Sequence, residues 1–209
     1  MKPFFIFAAP FIFLIIACQS TKNVQTPRSY DPFSYSVEKK SVSGKGAVVS
    51  AHPLASKVGV EILKMGGNAV DAAIATQLAL AVVYPGAGNI GGGGFMVARL
   101  SDGTSLTLDY REKAPALAGR DMYLDEKGNA KLQLSQEGHL ASGVPGTIAG
   151  LTEAHKYGKL PFATLIQPAI ELAEKGFVIT AAEAMSLNEN RDEFTRLNTF
   201  PTCLLYTSD

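Results

Sequence analysis

Residues 69–84 read AVDAAIATQLALAVVY, and from Ala72 to Val83 the segment is apolar on almost every face of a helix. A helix of that kind cannot lie on a surface with one side in water; it has to be enclosed between other layers. Its many alanines allow a neighbouring sheet to approach closely. The chain therefore needs at least one further layer on each side of this helix. With 209 residues, 46% of them hydrophobic, it has material for one well-buried domain but little for two.

The flanking residues supply those layers. AVVS (47–50) is a short strand candidate. In HPLASKVGVEILKMGG, Leu54, Val58, Ile62 and Met65 recur at helical spacing, and Gly66-Gly67 ends the run. Asn68 is placed as the N-cap of the apolar helix, with Asp71 at the positive end of its dipole. FMVARL (95–100) and TSLTLDY (104–110) flank Ser101-Asp102-Gly103, a hairpin signal. TIAGLTEAHKYG, PFATLIQPAIELAEKG and TAAEAMSLNENRDEF are helical in pattern, the last opening on a Thr180/Glu183 capping box. No internal repeat is present. The order predicts an α+β fold, antiparallel sheet layered with helices.

Between the apolar helix and the hairpin stands GAGNIGGGG (86–94), whose first six residues spell G-x-G-x-x-G. A dinucleotide fingerprint follows a strand and opens a helix, so that phosphate meets free helix N–H groups. Here the glycines follow a helix and open a strand. A phosphate loop of the G-K-[ST] kind also fails, because Phe95 and Met96 stand where Lys and Ser/Thr are needed. The glycines are read as conformational: they let the chain turn into a central strand where Cβ atoms would clash.

Nineteen basic residues balance nineteen acidic ones, so nothing in the charge favours nucleic acid. Two cysteines, Cys18 and Cys203, are too few for a disulfide framework or a zinc site. His52, His139 and His155 are too scattered to form a helical ligand pair, so no metal is expected. Ser50, Ser142 and Ser186 lack a G-x-S-x-G setting. The start of the chain reads as an export signal: Lys2, then fourteen apolar residues ending in Ile15-Ile16-Ala17-Cys18. That ending resembles the lipobox of bacterial lipoproteins, which implies acylation of Cys18 and a membrane anchor, with residues 1–18 removed or modified. An unmodified Gln19 or Ser20 at the mature N-terminus, seen by mass spectrometry, would exclude the anchor. Residues 19–40 are polar and aperiodic and read as a linker.

Chemistry concentrates in Leu108-Asp109-Tyr110-Arg111-Glu112-Lys113-Ala114-Pro115, where the second hairpin strand hands over to a loop. An arginine there can offer a two-pronged planar donor to a carboxylate. The plainer alternative is a surface arginine neutralised by Asp109 or Glu112.

Residues 46–177 resemble the N-terminal half of a γ-glutamyltransferase, also called glutathione hydrolase. The matching blocks are Ala51-His52-Pro53-Leu54-Ala55, Gly66-Gly67-Asn68-Ala69-Val70-Asp71-Ala72-Ala73 and Gly88-Asn89-Ile90-Gly91-Gly92-Gly93-Gly94-Phe95. They continue through Asp109-Tyr110-Arg111-Glu112, Ala114-Pro115, His139-Leu140-Ala141-Ser142-Gly143-Val144-Pro145-Gly146-Thr147 and Gln167-Pro168-Ala169. The resemblance implies the four-layer αββα sandwich of N-terminal-nucleophile (Ntn) hydrolases and a proenzyme that cuts itself into a large and a small subunit. The threonine freed at the small subunit's N-terminus is then the nucleophile and its own amine the base. No cofactor is implied. Arg111 would grip the α-carboxylate of glutathione or another γ-glutamyl donor. Glu112 would orient Arg111 or meet the donor's amine, unless it is a structural ion pair.

No nucleophile falls within the sequence; residues 41–201 are expected to form the N-terminal part of a large subunit, and the chain to be inactive alone. TCLLYTSD (202–209) departs from the family pattern and reads as foreign to the fold. An acylase of the cephalosporin or glutaryl type and a non-catalytic lipoprotein that binds a carboxylate are the alternatives. A threonine processing site downstream separates the enzymes from the binder.

Overall fold

A computed structural model describes residues 30–35, 40 and 42–197. The leader with Cys18, most of the linker and the 202–209 tail lie outside the described residues.

Helix α1, Pro53–Lys64, buries Leu54, Val58 and Ile62, the four-residue spacing expected of it. Met65, expected on the same face, is instead the C-cap and is half exposed. The helix stops one residue before it, and the chain reverses through Gly66 at φ +94°. Helix α2, Ala69–Val83, begins in a full capping box: the Asn68 side chain accepts from Val70 and Asp71 N–H, and Asp71 accepts from Asn68 N–H at 2.8 Å. Asp71 is wholly buried, and its carboxylate also accepts from the N–H groups of Lys159 and Leu160. One side chain thus ties the start of α2 to the loop between α3 (Thr147–His155) and α4 (Phe162–Lys175).

Helix α2 is the centre of the molecule. It packs on α1, α4 and α3, and the core is Leu54, Val58 and Ile62 with Ile74, Leu78, Leu151, Leu165 and Leu172. Each such side chain, removed from water, contributes roughly 1.5–3 kcal/mol before conformational entropy is set against it. The enclosure is nevertheless incomplete. Ala73 is exposed, Gln77 and Leu80 are half-buried, and this side of α2 borders a cavity of about 1160 Å³ with Val48, Val60, Leu63 and Thr76 in its wall.

The hairpin forms as the sequence predicts. Strands β1 (Phe95–Arg99) and β2 (Ser105–Asp109) pair antiparallel, with Phe95 opposite Asp109 and Arg99 opposite Ser105. Asp102 Oδ1 accepts from Thr104 N–H at 2.8 Å, and Gly103 takes φ +87°. Met96 and Leu108 face the helical core, whereas Phe95 and Val97 are exposed on the other side. AVVS does not become a strand. Its exposure alternates as a strand's does, with Val48 inward and Val49 92% exposed, but residues 47–49 make no backbone hydrogen bond among the described residues. The pattern is present, and no pairing partner stands among the described residues.

The last predicted helix divides at Asn190 into α5, Ala181–Glu189, and α6, Arg191–Leu197. The Thr180/Glu183 capping box of α5 forms as expected. Near it lies a contact the sequence did not suggest. His52, 3% exposed, caps α1 through Nδ1, which accepts from Leu54 N–H at 3.2 Å. The ring proton therefore sits on Nε2, 3.3 Å from the Tyr35 hydroxyl and 3.5 Å from Glu183 Oε1. Tyr35 in turn donates to Val178 O at 2.9 Å. Burial pushes the His52 ring below the ordinary histidine value, and the Glu183 carboxylate opposes that push.

Candidate functional site

Strand β2 ends at Asp109, whose Oδ1 accepts the main-chain N–H of Arg111 at 3.1 Å and turns the chain out of the sheet. Tyr110 N–H still reaches Gly94 O at 3.0 Å, and its hydroxyl donates to Gln77 of α2 at 3.2 Å. Three residues after Tyr110 the backbone is held again: Lys113 and Val144 exchange hydrogen bonds of 3.2 and 2.8 Å. The segment from Asp109 to Lys113 is thus pinned at both ends.

Between those ends it runs through a gap that only glycine leaves open. A Cβ on Gly93 would stand 2.7 Å from Arg111 Cα. A Cβ on Gly146 would overlap the Tyr110 carbonyl oxygen. The glycine run is therefore a site of backbone-to-backbone approach, as the order of elements predicts, and the N–H groups of Gly146 and Thr147 at the start of α3 that meet it go to the carbonyl oxygen of Gly92.

From this clamp the Arg111 side chain projects into solvent, its Cζ 6.0 Å from the centroid of the Phe95 ring. At an exposed site a cation over a ring is worth roughly 0.5–1 kcal/mol, enough to bias a direction and no more. Among the described residues the guanidinium has no ion pair. Asp109 does not pair with that guanidinium; its Oδ1 accepts the Arg111 backbone N–H. Glu112 is exposed, with its Cβ beside Gly143, and it does not pair with Arg111. Neither residue lines the large cavity, which lies across α1 and α2. The site is an open shelf on the rim of the hairpin.

The histidines behave as structural residues. His52 is a cap, His155 Nε2 lies 2.7 Å from Leu160 O, and His139 sits exposed in a short 3-10 turn. No group of three potential metal-binding side chains occurs among the described residues. No helix among them is long and apolar enough to cross a membrane. Sequence reasoning missed Asn89 and Thr147, whose side chains meet behind the clamp at 2.6 Å. Both stand in the blocks that carry the resemblance, but nothing local pairs them.

The family model described as Gamma-glutamyltranspeptidase matches residues 55–208. The chain belongs to the gamma-glutamyltranspeptidase family. It is 54% identical over 152 residues to the glutathione hydrolase proenzyme of Pseudomonas sp. (strain A14), an alignment covering 72% of this chain and 26% of that protein. The chain thus spans about a quarter of the length of that relative. It superposes on the crystal structure of Helicobacter pylori gamma-glutamyltranspeptidase with a TM-score of 0.74 and 46% identity, over 79% of this chain and 49% of that one. A cephalosporin acylase from Bacillus halodurans is similar at TM-score 0.60 and 31% identity, over 82% of this chain and 32% of that one. The gamma-glutamyltranspeptidase family is one of enzymes. The mixed helices and hairpin described above form part of the Ntn-hydrolase fold that these neighbours share.

Proposed function

We propose that this chain supplies the donor-carboxylate grip of a γ-glutamyltransferase, with Arg111 as the binding residue. The observation that carries the reading is a guanidinium without an ion pair among the described residues, set on a fixed backbone at a strand end in a chain of this family. A planar fork in that position can take both oxygens of an α-carboxylate and so hold the γ-amide at a set distance from a nucleophile. Glu112, the next residue and exposed, would accept from the donor's α-ammonium group in this reading.

The chemistry belongs to the remainder of the enzyme. A hydroxyl adds to the γ-carbonyl carbon, its proton goes to a neighbouring amine, and the C–N bond breaks as the leaving amine is protonated. The resulting glutamyl ester is then cleaved by water or by an acceptor amine. The proenzyme names of the relatives support a nucleophile generated by processing, and so a small-subunit partner. Export, with acylation of Cys18, completes the reading at the cell level.

In the full-length enzyme, Arg111→Lys keeps the charge and removes the fork. The KM for glutathione is expected to rise on the order of 10- to 100-fold, with a smaller change in kcat. Unchanged glutathione kinetics would refute the assignment. The acylase alternative separates on the amine: a glutaryl donor keeps the carboxylate and lacks the ammonium. Equal turnover of glutaryl and γ-glutamyl anilides would favour the acylase.

A further inference from the structure

The geometry points to Asn89 and Thr147 as positioning residues for donor binding, acting through the backbone that carries Arg111. This inference rests on the reading of Arg111 as the carboxylate grip and adds what aims it.

Among the described residues the Arg111 side chain has the Phe95 ring alone to steady it, so the direction of the guanidinium depends on where its Cα is held. That position is set by Gly93 on one side of the Tyr110–Arg111 backbone and Gly146 on the other. Two interactions keep those glycines at the separation the backbone needs. Gly92 O accepts from both Gly146 N–H at 2.8 Å and Thr147 N–H at 3.0 Å. Asn89 Oδ1 accepts from Gly92 N–H at 3.0 Å and from the Thr147 hydroxyl at 2.6 Å. One amide oxygen thus joins the glycine loop to the segment on the far side of Arg111.

The Thr147 hydroxyl has no role in starting α3, since Gly146 is the N-cap and no side chain caps the helix. Thr147 is fully buried, and its hydroxyl donates only to Asn89. A buried hydroxyl is retained at a desolvation cost, which valine at the same volume avoids. What the hydroxyl adds is a fixed width of the clamp, and that width is read out by the donor's carboxylate.

The test uses the full-length, processed enzyme with Thr147→Val, Thr147→Ser and Arg111→Lys side by side. Two donors are compared: γ-glutamyl-p-nitroanilide and 4-aminobutanoyl-p-nitroanilide, which lacks the α-carboxylate. Thr147→Val is expected to raise the KM for the γ-glutamyl donor about fivefold, with kcat within about twofold. The kcat/KM of the carboxylate-free donor should stay unchanged, and Thr147→Ser should restore the wild-type KM. Equal losses on both donors, a loss in kcat alone, or no rescue by serine would mark a merely structural contact and overturn the inference. If Arg111→Lys raises KM while Thr147→Val behaves as wild type, this inference fails and the grip stands. If Arg111→Lys is itself silent, the grip fails too. Should Thr147→Val not accumulate as processed enzyme, Asn89→Ala carries the same expectation and is judged by the same two donors.

Discussion

At the scale of single residues, the Arg111 shelf is decided by atoms that are missing. Gly93 and Gly146 matter because they have no Cβ, and the residue they admit is a backbone, which cannot swing aside as a side chain can. Gly93→Ala is therefore expected to cost about 1–3 kcal/mol in stability and to weaken donor binding together. A lower thermal midpoint in the full-length enzyme, with a raised KM for the γ-glutamyl donor, is the outcome to look for; an alanine variant equal to wild type in both would show that the gap has slack. The sequence made it legible that Arg111 follows a strand end, because that is a local pattern, whereas a role for it came only with the resemblance. It also made the glycines legible as a close approach, because they follow a helix. Which chain approaches was not legible. Asn89 and Thr147 are 58 residues apart, and no periodicity links positions that meet only when three segments are brought side by side.

Between elements, the joints are polar and buried. Asp71 ties α2 to the loop before α4, and His52 ties α1 to α5 and to Tyr35. The Thr180/Glu183 capping box was legible as a local signature, and Asn68 was legible as an N-cap, but the return bond that makes Asn68 and Asp71 a second box was not read. The His52 cap was not, because histidine is outside the usual N-cap set and its other nitrogen serves a partner far along the chain. Its titration has a definite sign. The folded value lies below the unfolded value of about 6.5, so between the two the unfolded chain binds the extra proton. The contribution of His52 is then fully present above that range and is lost as pH falls towards the lowered folded value. Comparing urea midpoints at neutral and mildly acid pH should show a steeper loss in wild type than in His52→Asn, which keeps a capping oxygen and removes the titration. Identical pH slopes for the two proteins would contradict this account.

Over the whole molecule, the all-round apolar α2 announced a layered fold, and the helical layer and hairpin are where that announcement leads. The layer on the cavity side was not legible as something this stretch of chain could build, because the sequence shows what a face needs and not which residues meet it. Ala73, the outward Phe95 and Val97, and the cavity edged by Val48 all mark sides of the layer that remain uncovered by described residues.

The unladdered backbone of Ala47, Val48 and Val49 gives that condition a clock. Among the described residues their amides have no backbone acceptor, so in heavy water they should take up deuterium at nearly the rate of a free peptide, while those of α2 remain protonated far longer. In a longer form of the protein, slowing at these three positions, read by mass spectrometry of the peptide that contains them, would time the moment a neighbouring strand arrives.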